Sequence, residues 1–181
     1  LPDAAVRESR DRVTGAMRNS GFAMPGGRIT INLSPADVRK EGPAYDLPIA
    51  LAILASTGVI DGESMQGMAA VGELSLSGSV MGVRGALSMA IAAREHGLHT
   101  IMLPAQNAAE AACIEGLSVL PVAHLSDAIN HLRGKKAIEP LHARPYAQIL
   151  GERKTGCDFA DVRGQKGAKR ALEIAAAGGH N

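Results

Sequence analysis

The sequence predicts an α/β sandwich with a mixed sheet, and three observations support that fold class. An apolar fraction of 46%, with 20% charged residues, is enough to fill a core in a chain of 181 residues. Residues 68–83 form an extended stretch, and Gly78, between the apolar residues at 74–76 and 80–81, predicts an antiparallel hairpin turn. Two later apolar stretches, residues 100–103 and 117–122, alternate with helical patterns, which is typical of parallel strands.

The helices follow from apolar periodicity and from the glycines that end them. We expect a first helix over residues 3–19, with Asp3 as its N-cap. A second helix runs from residue 43 or 46 to residue 57, and it is buried because nearly all of its side chains are apolar. Three further helices are predicted over residues 85–96, 105–115 and 126–133, the last capped by Ser126.

One more strand is predicted near the start of the chain, over residues 29–33. Its apolar side chains, Ile29, Ile31 and Leu33, alternate with polar ones. That period is typical of a strand with one buried face, and a loop over residues 34–42 follows it.

Charge and proline content divide the chain into two modules. Residues 1–133 carry 10 basic and 13 acidic side chains, whereas the remainder carries 9 basic and 5 acidic ones. A change of sign of this kind often marks a module boundary. Residues 135–156 contain two prolines and no clean period, so we interpret them as a linker. We therefore expect one domain at residues 1–134 and the start of another at residues 157–181.

Composition excludes several classes of function. No apolar run reaches the roughly 18 to 20 residues that a membrane span requires, so we expect no membrane partner. Cys113 and Cys157 are too few and too scattered for a disulfide scaffold or a zinc site, which indicates a cytoplasmic protein. The chain has no Trp and only four other aromatic residues, which disfavours a stacking platform for single-stranded nucleic acid. The six histidines show no paired spacing beside a carboxylate, so we expect no metal site. Cys113, on an alanine-rich helix, is interpreted as a packing residue.

Two motifs carry more specific information. RKEGPAYD at residues 39–46 leads into the apolar helix, and VGELSLSGSV at residues 71–80 is followed by RGAL at residues 84–87. In order and spacing they resemble the proteolytic domain of Lon-type proteases, which has the fold of the second domain of ribosomal protein S5. The resemblance covers residues 28–103 and implies the same fold here.

The catalytic residues of that family are not present at the matching positions of this chain. In Lon-type proteases a Lys-Asp-Gly-Pro-Ser turn presents a nucleophilic serine, and a later helix supplies a lysine as the base. Ala44 stands at the serine position and Leu87 at the lysine position. A dyad of this kind needs a hydroxyl group and an amine, and these two residues supply neither. We therefore predict no catalytic residue, and we expect Ala44 and Leu87 to face one cleft.

A wider resemblance covers essentially the whole chain. LPDAAVRESRDR at residues 1–12, KEGPAYDLP at residues 40–48 and the segment at residues 158–181 resemble the YifB/ComM family of Mg-chelatase-like AAA+ ATPases. In that family a Lon-like domain precedes an AAA+ motor, and the phosphate-binding loop lies just beyond the segment GGHN at residues 178–181. The resemblance implies ATP and Mg²⁺ as cofactors of the parent protein, and none for this chain. It also implies that the first strands of the Lon-like domain lie upstream.

The resemblance suggests two groups of binding residues. In AAA+ proteins the segment before the first helix contacts the adenine base, and its alternative role is a helix cap and turn. The nucleotide-binding candidates are Asp161, Val162, Arg163, Gly164 and Gln165. Three basic residues would flank the degenerate pocket and could meet a phosphate backbone, although solvated surface charge is the favoured explanation. These nucleic-acid candidates are Arg39, Lys40 and Arg84.

Three functions remain open at this point. The resemblance implies a non-catalytic Lon-like domain of a hexameric, ATP-dependent DNA motor that self-associates into a ring and acts in branch migration during natural transformation. A Lon-like serine peptidase with an unconventional nucleophile is the second, which Ala44 and Leu87 disfavour. An S5-like RNA-binding module is the third, and the near-neutral charge of the chain disfavours it.

Overall fold

The computed structural model describes residues 4–33, 42–141 and 161–178, with side chains from residue 8 onward. Its contacts divide the chain into two compact units, residues 1–144 and 145–181. The helices of the first unit are α1 (Ala4–Asn19), α2 (Asp46–Ser56), α3 (Ala86–Glu95), α4 (Ala105–Ala111) and α5 (Leu125–Leu132). Short 3₁₀ turns cover Pro43–Tyr45 and Gly62–Met65. Its strands are β1 (Met68–Ala70), β2 (Glu73–Leu74), β3 (Val80–Met81), β4 (Thr100–Pro104) and β5 (Ser118–Val122). The second unit contains α6 (Lys166–Gly178).

The strands form a parallel sheet and an antiparallel hairpin, which confirms the predicted mixture of α and β structure. The parallel sheet has the order β1-β4-β5, and β2 pairs with β3. The hairpin joins the carboxyl end of β5, where the amide of Val80 donates to the carbonyl of Ala123 at 2.8 Å. The parallel and antiparallel pairings predicted from the sequence therefore lie in two sheets that meet at this point.

The parallel sheet is covered on both faces, as strands with continuous apolar sequence require. On β4, Met102 packs into a cluster that includes side chains of α1, α2 and α5. Its neighbours Ile101 and Leu103 pack with side chains of α3 and α4. Because successive side chains of a strand point to opposite faces, these three buried residues place one core layer on each side.

The hairpin turn is wedged between the first helix and the start of the last helix of this unit. At Gly78 the backbone has a φ of +93°, and an added Cβ would lie 2.7 Å from Cε1 of His124 and 2.8 Å from Oγ of Ser20. The amide of Leu125 donates to the carbonyl of Gly78 at 2.8 Å. Gly78 is therefore required both for its conformation and for the close approach of its neighbours.

Three sequence predictions differ from the structure. Residues 28–33 form no strand, and Ile29, Ile31 and Leu33 are 39%, 49% and 38% exposed. Alternation specifies which side chains share a face, but a strand also needs a partner for its backbone groups. The helix predicted to reach residue 115 ends at Ala111.

The third difference concerns the cap of α5. His124, not Ser126, is the N-cap residue, because the imidazole accepts a hydrogen bond from the amide of Ser126. Its other ring nitrogen lies 3.0 Å from the carbonyl oxygen of Ser77. A histidine that caps a helix and also contacts a hairpin turn is not recognisable from local sequence.

The first residues of the predicted linker are attached to the first unit. The amide of Leu141 donates to the carbonyl of Val119 at 2.8 Å, and the amide of Ile138 donates to a ring nitrogen of His131 at 2.9 Å. Residues 142–156 of that linker lie outside the described residues. The predicted domain boundaries at residues 134 and 157 therefore stay a prediction.

Candidate functional site

The turn that would present a nucleophile in a Lon-type protease is built from Gly42 and the 3₁₀ turn Pro43–Tyr45. Proline suits the first position because it lacks an amide hydrogen and its φ is already helical. Ala44 is 7% exposed, so the position that would need an accessible hydroxyl is buried and aliphatic.

Gly72 holds this turn against the base of the hairpin. Its amide donates to the carbonyl of Ala44 at 2.9 Å, and its carbonyl accepts from the amide of Leu47 at 3.0 Å. An added Cβ on Gly72 would lie 2.7 Å from Cγ1 of Val80. Only glycine allows the two backbone segments to approach this closely.

Asp46 is the buried polar centre of this region, and the sequence reasoning did not find it. Its side chain is fully buried. It accepts hydrogen bonds from the Ser9 hydroxyl at 2.6 Å, from Nε of Arg12 at 2.6 Å and from Nη2 of Arg12 at 3.2 Å. The amide of Leu74 donates a fourth bond at 3.2 Å. One carboxylate therefore connects α1, α2 and β2.

Arg12 is the matching cation. The hydrogen bond to Asp46 is the main reason that the pKa of Arg12 is raised; burial opposes this, and the negative charges of Asp46, Glu73 and Glu8 add to it. Because the folded pKa of Arg12 lies above its ordinary value, the stabilisation linked to the Arg12 proton is fully present below that ordinary value. It is lost as pH rises through the folded pKa. A fixed guanidinium also offers the two parallel donors that a carboxylate accepts best.

The signal that could have identified this pair lies in α2. Asp46 opens a helix that is otherwise apolar, and a buried charge requires a partner. The sequence could not say which basic residue supplies it, because Arg12 is 34 positions away and α1 carries other arginines.

Leu87 lies in the first turn of α3 and is 36% exposed. The loop before this helix is held by Asn107, whose amide side chain accepts from the amide of Val83 at 2.8 Å and donates to its carbonyl at 3.0 Å. The Leu87 position is therefore well fixed but carries no group that could accept a proton. The expectation that it faces one cleft with Ala44 stays a prediction.

The predicted nucleic-acid residues are only partly described. Arg84 is exposed in the loop before α3, whereas Arg39 and Lys40 lie outside the described residues. A basic surface formed by these three side chains therefore stays a prediction.

The predicted nucleotide segment forms a turn that leads into α6. Residues Asp161, Val162, Arg163, Gly164 and Gln165 are all exposed. Gly164 and Gln165 both have positive φ, at 71° and 51°, which is uncommon for a residue with a side chain. The carbonyl of Gln165 accepts from the amide of Lys169 at 3.0 Å, so the turn starts the helix. This geometry fits a cap and leaves the nucleotide role a prediction.

Two further features concern metal binding and membrane insertion by the described part of the chain. No group of three or more His, Cys, Asp or Glu side chains there is arranged to hold a metal ion. None of the helices described combines the length and the apolar character needed to cross a membrane.

Comparison with known proteins gives the family. A family model described as subunit ChlI of Mg-chelatase matches residues 1–107, and another described as magnesium chelatase, subunit ChlI, matches residues 158–181. YifB of Escherichia coli is 44% identical over 181 residues, and competence protein ComM of Haemophilus influenzae is 38% identical over 183 residues. Each match covers all of this chain, which spans only 35% and 36% of those proteins.

A partial similarity supports the Lon-like interpretation of the first unit. Lon protease of Brevibacillus choshinensis is 29% identical over 115 residues, which is 61% of this chain and 14% of that protease. Together with the mixed α/β architecture, this similarity is compatible with the predicted Lon-like fold. The chain belongs to the Mg-chelatase ChlI-like family that includes YifB and ComM.

Proposed function

We propose that this chain is a non-catalytic Lon-like module of a Mg-chelatase-like AAA+ ATPase that acts on DNA. The observation that carries the proposal is the pair of aliphatic residues at the dyad positions. Ala44 is buried in a turn fixed by Gly72, and Leu87 occupies the first turn of α3. A scaffold in which both reactive groups are replaced suits binding or assembly.

The peptidase alternative would require another nucleophile. Ser9 is the hydroxyl closest to a carboxylate in this region, because its Oγ lies 2.6 Å from Asp46. That carboxylate already accepts two bonds from the guanidinium of Arg12, so it is a poor base for removing the serine proton. The arrangement of Ser9, Asp46 and Arg12 is therefore a structural connection between helices.

The motor activity would belong to the parent protein, of which this chain is a part. Membership of the family and similarity to a protein named for competence favour an ATP-dependent motor acting on DNA, with branch migration as its activity and a hexameric ring as its assembly. ATP hydrolysis, with Mg²⁺, would supply the free energy for movement. The exposed turn at residues 161–165 could offer backbone groups to an adenine base, which fits a partial nucleotide site. A cytoplasmic location is part of the same proposal.

The RNA-binding alternative has less support. Residues 1–133 carry three more acidic than basic side chains, whereas a domain that binds nucleic acid alone usually has a clear basic excess. In a ring, weak contacts from each copy with DNA would add through avidity.

Two experiments test the proposal. A fluorophosphonate probe should leave this chain unlabelled. Labelling would contradict the proposal, and its loss in Ser9→Ala would identify Ser9 as the nucleophile. DNA binding should be measured for the chain and for its complete parent protein, with and without ATP, across a salt series. We expect ATP-dependent binding by the parent protein only. Absence of binding by the parent protein would contradict the DNA role.

A further inference from the structure

A groove of about 510 Å³ lies between α1 and the β2–β3 hairpin. Its lining combines acidic side chains at the rim with apolar side chains of the hairpin. The lining residues used below are Glu8, Asp11, Arg12, Glu73, Leu76 and Met81.

The groove exists because the hairpin is fastened to α1 at two separated points. At the turn, Nδ2 of Asn19 donates to the carbonyl of Leu76 at 2.6 Å. An added Cβ on Gly15 would lie 2.9 Å from Cδ2 of the same leucine, so the Leu76 side chain contacts the helix at this glycine. At the base, Asp46 accepts from the amide of Leu74 and from Arg12 of α1. The groove between these two attachments stays open because hydrogen bonds fix α1 and the hairpin at both of its ends.

The apolar part of the groove is exposed. Leu76 is 60% exposed and Met81 is 41% exposed, although both lie on a hairpin whose backbone is fixed. Methionine and leucine at such a position gain stabilisation when a partner covers them, in proportion to the apolar area removed from water.

The charge of the groove is negative. Among the described residues, Arg12 supplies the basic side chain of the lining, and its guanidinium is already paired with the buried carboxylate of Asp46. Glu8 approaches Arg12 only at 3.7 Å, with 74% of its side chain exposed. Four carboxylates lie in this region, those of Glu8, Asp11, Glu73 and Asp46, and the guanidinium of Arg12 offsets one of their charges. Three negative charges therefore remain around the apolar side chains of the hairpin.

We propose that this groove binds a short segment of a partner protein in which an apolar side chain is flanked by lysine or arginine. The apolar residue would cover Leu76 and Met81, and the flanking cations would meet Glu8, Asp11 and Glu73. Charge complementarity decides the class of partner, because a phosphate backbone would be repelled by the same carboxylates. The proposal does not depend on the DNA role of the parent protein.

Binding can be measured by fluorescence anisotropy with the 181-residue chain. The probe is a labelled 12-residue peptide in which lysines flank two leucines, and two further peptides replace the leucines by serine or the lysines by glutamate. We expect a Kd on the order of 10–100 µM for the first peptide only, as is usual for a small transient interface. Binding should weaken as salt increases.

Matched variants locate the site. Asp11→Asn with Glu73→Gln should weaken binding about tenfold, since each exposed pair is worth a few fold. Leu76→Ser should weaken it about fivefold through lost apolar contact. The controls are Glu95→Gln and Ile91→Ser, which change an exposed acid and a 43% exposed isoleucine on α3 and should leave binding unchanged.

Several results would overturn the proposal. These are no binding of the lysine–leucine peptide, equal weakening by the α3 controls, and equally tight binding of the glutamate peptide or of a short DNA duplex. Displacement of the peptide by millimolar MgCl₂, beyond the effect of equal ionic strength of NaCl, would assign the groove to a cation instead. Self-association that Glu73→Gln abolishes would assign it to a second copy.

Discussion

On one face of the parallel sheet, α1, α2 and the hairpin enclose Asp46 and Arg12 among large apolar side chains. On the other face, α3 and α4 pack through small residues, among them Ala86, Ala90 and Ala108. Hydrogen bonds to a buried carboxylate distinguish the first face, whereas the second is packed through alanine and has Asn107 fixing the loop before α3. The turn carrying Ala44 belongs to the first face and the helix carrying Leu87 to the second, so the two dyad positions are held by different physical means.

The largest expected effect comes from removing the buried carboxylate. Asp46→Ala leaves the guanidinium of Arg12 and the Ser9 hydroxyl without their partner, which should cost about 3–5 kcal/mol of the free energy of unfolding. Urea denaturation followed by circular dichroism measures this cost. Arg12→Met in the Asp46→Leu background removes both charges and should restore much of it. A cost under about 1 kcal/mol for Asp46→Ala would show that the pair is not a stability determinant.

The alanine-packed face should respond to volume instead of charge. Ala90→Leu adds three carbons at a fully buried position and should destabilise the protein by about 1–3 kcal/mol through overpacking. Ala92→Leu, at an exposed position of the same helix, is the matched control. Thermal denaturation of the two variants measures the difference, and equal melting temperatures would mean that α3 is loosely packed.

A smaller effect is expected at the loop between the hairpin and α3. Asn107→Ala removes the two bonds to the backbone of Val83 and should cost about 1–2 kcal/mol. Hydrogen exchange at the amide of Val83 should accelerate, while exchange at Leu54 in α2 should change only as far as global stability changes. Unchanged protection at Val83 would show that the loop is held by other contacts.

The smallest effect is expected in α6. Leu172 and Ile174 are 55% and 53% exposed, so Leu172→Ser should change the free energy of unfolding by less than about 0.5 kcal/mol. The comparison is Leu54→Ser in the buried helix α2, which should be severely destabilising. A large loss of stability from Leu172→Ser would mean that α6 is covered in solution.

Local patterns predicted the helices, the hairpin turn and the individual strands of the parallel sheet because each of these depends on neighbouring residues. Gly78 indicated a hairpin turn, and the apolar run of α2 indicated burial, as observed. The strand predicted over residues 29–33 was wrong, since alternation says nothing about a hydrogen-bonding partner. Asp46 was missed for a related reason, because its role depends on residues brought to it by the fold.

The candidate site was predictable only in part. Ala44 and Leu87 could be placed from motif spacing, because the turn residues around them are distinctive. The hydrogen bonds between Gly72 and Ala44 and between Asn107 and Val83 join residues that are distant in the chain, and no sequence motif indicates them. The groove between α1 and the hairpin could not be predicted either, since it requires the seating of Leu76 against Gly15.

The wedged position of Gly78 has a consequence for the order of events during synthesis. The hairpin turn at Gly78 touches Ser20, which lies 58 positions before it in the chain, and His124, which lies 46 positions after it. Contacts between such distant residues close late and slow folding. The hairpin therefore cannot be completed until residue 125 has left the ribosome, and until then Leu74 and Val80, which end up in the core, remain available to chaperones.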